Sequence, residues 1–229
     1  MLAAAAALGH KRPLAPGLDN NGVQFDHTFR AGLDALLRWR RDVRRFRRDP
    51  LPEGTLDRLI ATACLAPSVG LSQPWRFVTV DDPGRREGVR ALFARCNAEA
   101  LAAYAGERAA CYAALKLAGM EEAPAQLAVF ADHATAAGHG LGRRTMPEMI
   151  DYSCVTAIHT LWLAARAEGI GLGWVSILEP SAMAELLDVP PHWRFIGHLC
   201  LGYPERDVDA PELELAGWER RCRAAVIRR

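Results

Sequence analysis

The stretch RWRRDVRRFRR (residues 38–48) sets seven arginines around one carboxylate, Asp42. A guanidinium presents a planar fork of donors that meets phosphate bidentately, so this grouping could grip nucleic acid or hold a small phosphorylated ligand. It could also be solvated surface with no task, as exposed charge runs ordinarily are. Two properties of the whole chain bear on the choice. Only Lys11 and Lys116 are lysines among its 28 basic residues, a chain-wide bias that weakens any argument from arginine as such. The formal net charge is +1 over 229 residues, whereas nucleic-acid binders carry a strongly basic domain, so no nucleic-acid partner is expected.

Two other stretches carry polar groups between conformational punctuation marks. APSVGLSQPWRF (66–77) confines Ser68, Gly70 and Gln73 between Pro67 and Pro74, and GLGWVSI (171–177) sets Trp174 and Ser176 beside glycines. Each has an ordinary reading, a helix-to-strand turn for the first and a glycine-rich strand for the second. No histidine has metal-ligand spacing, and the six cysteines (Cys64, Cys96, Cys111, Cys154, Cys200, Cys222) form no C-x-x-C pair, so no metal is expected. The cysteines read as reduced core thiols, and Trp162, Trp174, His159 and His198, all in apolar runs, read as core.

These groups need a scaffold, and the composition supplies one: 50% hydrophobic and 24% charged residues suit a globular protein with a sizeable core. In MLAAAAALGHKRPLAP the positive residues follow a short alanine-rich run, the reverse of a secretory signal. Residues 1–24 are therefore expected to be a flexible tail ahead of a single domain over 25–229. No stretch approaches the roughly 20 apolar residues of a membrane span, and a cytoplasmic protein without membrane contact is expected. Apolar residues at helical spacing predict a helix from Pro52 that Pro67 ends. Strands follow at Trp75 to Val80 and at 125–132, with two helical segments across 84–119 between them. A glycine-rich loop (134–145) leads into a long helix, apolar nearly all round, which Gly169 closes. A strand (171–178), a helix (180–189) and a last strand (194–204) complete an α+β fold, helices around a short mixed sheet.

Arg40-Arg41-Asp42-Val43-Arg44 with Phe46, the APSVGLSQPWRF loop and GLGWVSI together resemble the FMN-dependent nitroreductase superfamily, with matching order and spacing over 38–204. Within it, Asp42, TMPEMIDYS (145–153), LWLAARAEG running into GLGWVSI, and LCLGYPE resemble the aerobic 5,6-dimethylbenzimidazole synthases. The resemblance implies a nitroreductase-like fold and a homodimer with FMN in clefts between subunits. Arg40, Arg41 and Arg44, with Val43 beside them, would meet the phosphate and ring edge. Ser68, Gly70 and Gln73 would face the flavin from their loop, and Gly173, Trp174 and Ser176 would pass close to the ring. Many superfamily members carry Asn where this chain has Leu71, a departure that argues against a generic nitroreductase.

What the resemblance implies for activity is that reduced FMN is consumed. With O2 as co-substrate, the ring is broken down so that its dimethyl-substituted benzene portion and ribityl C1′ end up in 5,6-dimethylbenzimidazole, the lower ligand of cobalamin, and the remaining ribityl carbons leave as erythrose 4-phosphate. Asp42, where many nitroreductases carry Ser, is the candidate general acid/base, and Ser176 would orient oxygen or Asp42 by hydrogen bonding. A structural ion pair with an arginine remains the alternative for Asp42. The glycine-rich segment 134–153 would act as a lid, leaving a separate NAD(P)H flavin reductase to supply reduced FMN. Two other functions stay open: an ordinary NAD(P)H-dependent FMN oxidoreductase that retains its flavin, and a module that only stores it.

Overall fold

The computed structural model describes residues 24–115 and 119–229. The tail expected over 1–24 thus lies outside the described residues, apart from its last position. Contacts divide the chain into two units, Met1–Ala35 and Leu36–Arg229. In the first, helix α1 (His27–Trp39) begins where Asp26 accepts the Phe29 N–H at 2.7 Å, and Phe25 stacks on Phe29 at 4.3 Å. Sequence reasoning assigned no helix here, although Phe29, Leu33 and Leu37 recur at helical spacing.

The second unit runs through α2 (Thr55–Ala63), β1 (Trp75–Thr79), α3 (Pro83–Ala102), α4 (Gly106–Ala114), α5 (Gly119–Glu122), β2 (Ala125–Asp132), α6 (Met149–Ala167), β3 (Gly171–Val175), α7 (Pro180–Leu186), β4 (Trp193–Gly202) and α8 (Glu212–Leu215). Local chemistry explains several boundaries. Asp82 caps α3 by accepting the Arg85 N–H at 2.8 Å, with Pro83 in the first turn. After α6 the chain reverses at Gly169, whose φ of +75° suits a residue without Cβ.

The strands form one sheet in the order β1-β2-β4-β3. The sheet is antiparallel rather than mixed as expected: all three strand pairings are antiparallel, and the parallel contact between Asp42 and Leu172 is an isolated bridge outside the named strands. Strand alternation sends Leu127, Val129, Leu199 and Leu201 to one face, against α2 and α6, and Ala128, Phe130 and Cys200 to the other, against α3 and α7. Helices therefore cover both faces. Both outer edges, β1 and β3, carry the segments that matter for chemistry.

Candidate active site

At the β3 edge, residues 40–44 run alongside β3 and meet it at the isolated parallel bridge of Asp42 with Leu172. The Val43 N–H donates to the Leu172 carbonyl at 3.0 Å, and the Trp162 indole N–H donates to the Arg41 carbonyl at 3.1 Å. Glycine is required opposite: a Cβ on Gly173 would lie 2.2 Å from the Val43 carbonyl oxygen, and one on Gly171 would lie 2.8 Å from the Val43 side chain. The close approach read from GLGWVSI is thus made by this chain's own backbone. It fixes Asp42, whose Oδ1 accepts the Trp174 N–H at 3.0 Å and whose Oδ2 accepts Arg44 Nε at 3.2 Å. Glu212 stands 3.7 Å from the same Arg44 nitrogen.

Asp42, Val43 and Arg44 line the junction of two chambers. The first is a cavity of about 230 Å³ with Gly173, Ser176 and Cys200 on one side and Tyr112, Leu213 and Trp218 on the other. Burial pushes the Cys200 thiol up to about 12. The aromatic wall joins α4 to the C-terminal segment: Tyr112 and Trp218 ring centroids are 6.0 Å apart, and Arg108 lies over Trp218 at 4.7 Å while donating to its carbonyl at 2.9 Å. The second is a cleft of only about 20 Å³ that gathers Arg41, Arg45, Arg166 and Arg206 beside Arg44, with Asp207 and Glu212 also in its lining. Arg41 Nε is buried there with no hydrogen-bond partner among the described residues. Arg40 differs from its neighbour. Its guanidinium stacks on the Trp162 ring at 4.7 Å and lines neither chamber, and burial lowers its pKa from the ordinary arginine value.

Ser68, Gly70 and Gln73 lie at the other edge of the sheet, in the loop before β1. Gly70, Leu71 and Gln73 all have positive φ (+57°, +57° and +43°), conformations costly for the two non-glycine residues. Ser68 Oγ accepts the Gln73 N–H at 3.0 Å, and Ser153 Oγ on α6 accepts the Val69 N–H at 3.0 Å. Two rulers measure the separation of this loop from Asp42. Three inter-strand steps separate β1 from β3, roughly 14 Å, and Ser153, which touches the loop, lies about 13 Å along α6 from Trp162, which touches Arg41. One chain does not bring the two groups together.

The Nitroreductase family model matches residues 37–203. The chain belongs to the nitroreductase family. A protein from Rhodospirillum rubrum named 5,6-dimethylbenzimidazole synthase is 58% identical over 208 residues, covering 91% of this chain and 99% of its own length. A Rhodobacter capsulatus protein of the same name is 53% identical, with 86% and 95% coverage. The fold also matches iodotyrosine deiodinase bound to FMN and 3-iodo-L-tyrosine, with TM-score 0.67, 23% identity, and 86% and 97% coverage. The chain is an enzyme of a family with oxidoreductase-type chemistry.

Several expectations for this nitroreductase-family chain need correction. The segment 134–153 is not a free lid. Its glycine-rich part packs on the 68–73 loop, so closely that a Cβ on Gly138 would lie 2.7 Å from the Gly70 carbonyl oxygen, and from Met149 it is already α6. The cover over Asp42 is the aromatic wall of Tyr112 and Trp218, which sequence reasoning missed because its partners lie a hundred residues apart and show no periodicity. His198 is the core residue expected, with Nε2 3.0 Å from Gln126 Oε1, and burial lowers its pKa to about 4. His159, expected in the core, is exposed on α6; of the six cysteines expected in the core only Cys154 and Cys200 are buried, while Cys64, Cys96 and Cys111 are half-buried and Cys222 is exposed. Trp162 and Trp174 pack half-buried against the α6 face of the sheet. Among the described residues no metal-ligand cluster occurs, and no helix is long and apolar enough to cross a membrane.

Proposed function

We propose that this chain is an aerobic 5,6-dimethylbenzimidazole synthase, using O2 to fragment reduced FMN into 5,6-dimethylbenzimidazole and erythrose 4-phosphate. The observation that carries the reading is Asp42, a carboxylate held by Trp174 N–H and Arg44 Nε where an aromatic chamber meets an arginine-lined one. The names of the Rhodospirillum and Rhodobacter relatives support it. Bound reduced FMN would supply the electrons that activate O2 and the carbon atoms of both products. Arg41, Arg44 and Arg206 suit its phosphate, since the buried Arg41 Nε needs an acceptor. Tyr112 and Trp218 wall the ring and keep bulk water from the reacting atoms. Asp42 Oδ2 takes and returns the proton at the ribityl carbon bonded to the ring, while Trp174 N–H keeps the carboxylate from turning away. Ser176, whose hydroxyl is not among the groups bonded to Asp42, is left to orient oxygen.

The functional unit in this reading is a homodimer whose partner completes each site. A two-fold axis would bring the 68–73 loop of each subunit to the Asp42 edge of the other, giving two equivalent sites. The exposed apolar residues around that loop and along α6 (Leu65, Leu71, Leu141, Met146, Tyr152 and Val155) suit such a covered surface. In this reading the flavin is consumed rather than re-reduced in place, so reduced FMN comes from a separate NAD(P)H flavin reductase in the cytoplasm. The test is an aerobic incubation of the purified protein with enzymatically reduced FMN. Loss of flavin matched by 5,6-dimethylbenzimidazole is expected. Flavin returned intact, with hydrogen peroxide or sustained NAD(P)H oxidation, would point to an ordinary FMN oxidoreductase.

A further inference from the structure

A polar frame lies beneath the 68–73 loop. Arg76, on β1, donates through Nη1 to the carbonyls of Trp75 (2.9 Å) and Gln73 (3.3 Å), and through Nη2 to Asp132 Oδ2 at 2.6 Å. Asp132, at the end of β2, is only 8% exposed. Its Oδ1 accepts the Ala134 N–H at 3.0 Å and lies 3.6 Å from His192 Nε2, and its own N–H donates to the Pro74 carbonyl at 2.8 Å. The Arg76 guanidinium also lies over the Trp193 ring at 5.8 Å. Together these contacts fix a planar donor group immediately behind Gln73.

Left-handed backbone at Leu71 and Gln73 persists only where the surroundings over-determine it. Ser153 and Ser68 hold the N–H groups of Val69 and Gln73. The Gln73 carbonyl is held by Arg76, and Arg76 by Asp132. We propose that Arg76, anchored by Asp132, is a positioning residue that holds Gln73 in the conformation that turns its exposed amide toward flavin bound by a second copy of the chain. The inference rests on the assignment of the 68–73 loop to flavin binding. Guanidinium geometry is needed, since one ammonium cannot span a carboxylate and two carbonyls in a fixed plane.

The test compares Arg76→Lys and Asp132→Asn with Arg58→Gln, which breaks only the exposed Arg58–Glu168 pair. Arg76→Lys keeps the charge beside Asp132, so it carries the experiment should Asp132→Asn fold poorly. Amide hydrogen exchange across 69–73, FMN affinity by flavin fluorescence, and kcat at saturating reduced FMN are measured. Exchange should accelerate in the loop alone, and FMN binding should weaken by about tenfold, near the worth of one hydrogen bond. The kcat should stay within about threefold of the parent, because the proton-transfer group is unaltered. Exchange at the control rate would overturn the clamp. Faster exchange with unchanged FMN affinity would overturn the loop's flavin role and the positioning role with it, and a fall in kcat alone would mean Arg76 acts on the chemistry instead. Affinity is read without turnover, so a failure of the proposed reaction is distinguishable from a failure of the frame.

Discussion

The two edges of the sheet are built on opposite principles. At the β3 edge, residues 40–44 are held by the backbone bond from Val43 to Leu172 and by bonds of the Trp162 indole and the Asp42 carboxylate, and Gly173 leaves a space that the Val43 carbonyl fills. The β1 edge instead carries a loop in which two non-glycine residues are held at positive φ. The first edge packs glycine against backbone beneath a carboxylate whose side chain is 38% exposed, and the second is strained and ringed by exposed apolar side chains. Strain that the fold maintains, rather than relaxes, points to a task the isolated chain does not perform by itself. In the proposed reading the difference means that each edge supplies half of a site: one half sets a proton-transfer group, the other presents contacts to a ligand held by a second copy.

Substitutions at the two edges should therefore fail differently. The largest effect is expected from Asp42→Asn, which keeps an acceptor for Trp174 N–H and loses the proton-accepting group: 5,6-dimethylbenzimidazole should fall by at least ~10²-fold, with FMN binding retained. Product at close to the parent rate, accompanied by a lower melting temperature, would leave Asp42 only its ion pair with Arg44. Next comes Arg41→Ala, which should weaken FMN binding by about 10- to 100-fold, as expected for a lost charged hydrogen bond, and leave riboflavin binding unchanged. Equal losses for both flavins would remove the phosphate from the arginine chamber. Gly173→Ala should cost about 1–3 kcal/mol in thermal unfolding by forcing the 42–43 segment outward, and it should depress turnover further than the stability loss explains. At the strained edge the sign reverses. Gln73→Gly should stabilise the fold by up to about 1 kcal/mol by relieving left-handed backbone, yet weaken flavin binding. Ser176→Ala should be mildest, slowing product formation by roughly 2- to 12-fold.

Much of the scaffold was legible in sequence because local and global signals agree. The strand 125–132, apolar between Gln126 and Asp132, is bounded by Pro124 and a loop, and it forms over those residues. The long helix ending near Gly169 follows the same logic. Legibility fails where a residue's role depends on what packs against it. Arg40 and Arg41 are adjacent and identical in type, and only the Trp162 ring separates a stacked guanidinium from one in the chamber. The glycines of GLGWVSI announced a close approach, but not that Val43 makes it. Trp218 sits in a polar C-terminal stretch with no periodicity, and its place in the wall comes from Tyr112 and Arg108.

The central claim is that each site takes Asp42 from one subunit and the 68–73 loop from the other, and subunit mixing tests it most directly. One chain would carry Asp42→Asn with a native loop; the other would carry Ser68→Ala and Gln73→Gly with native Asp42. Unfolded together and refolded as a mixture, half of the dimers should be hybrids, each with one doubly defective site and one intact site. Assayed at reduced FMN low enough to leave the loop variant nearly empty, product formation should then rise well above either parent, toward about a quarter of the native rate under the same conditions. A mixture no more active than the average of its two parents would contradict a shared site and confine both groups to one chain.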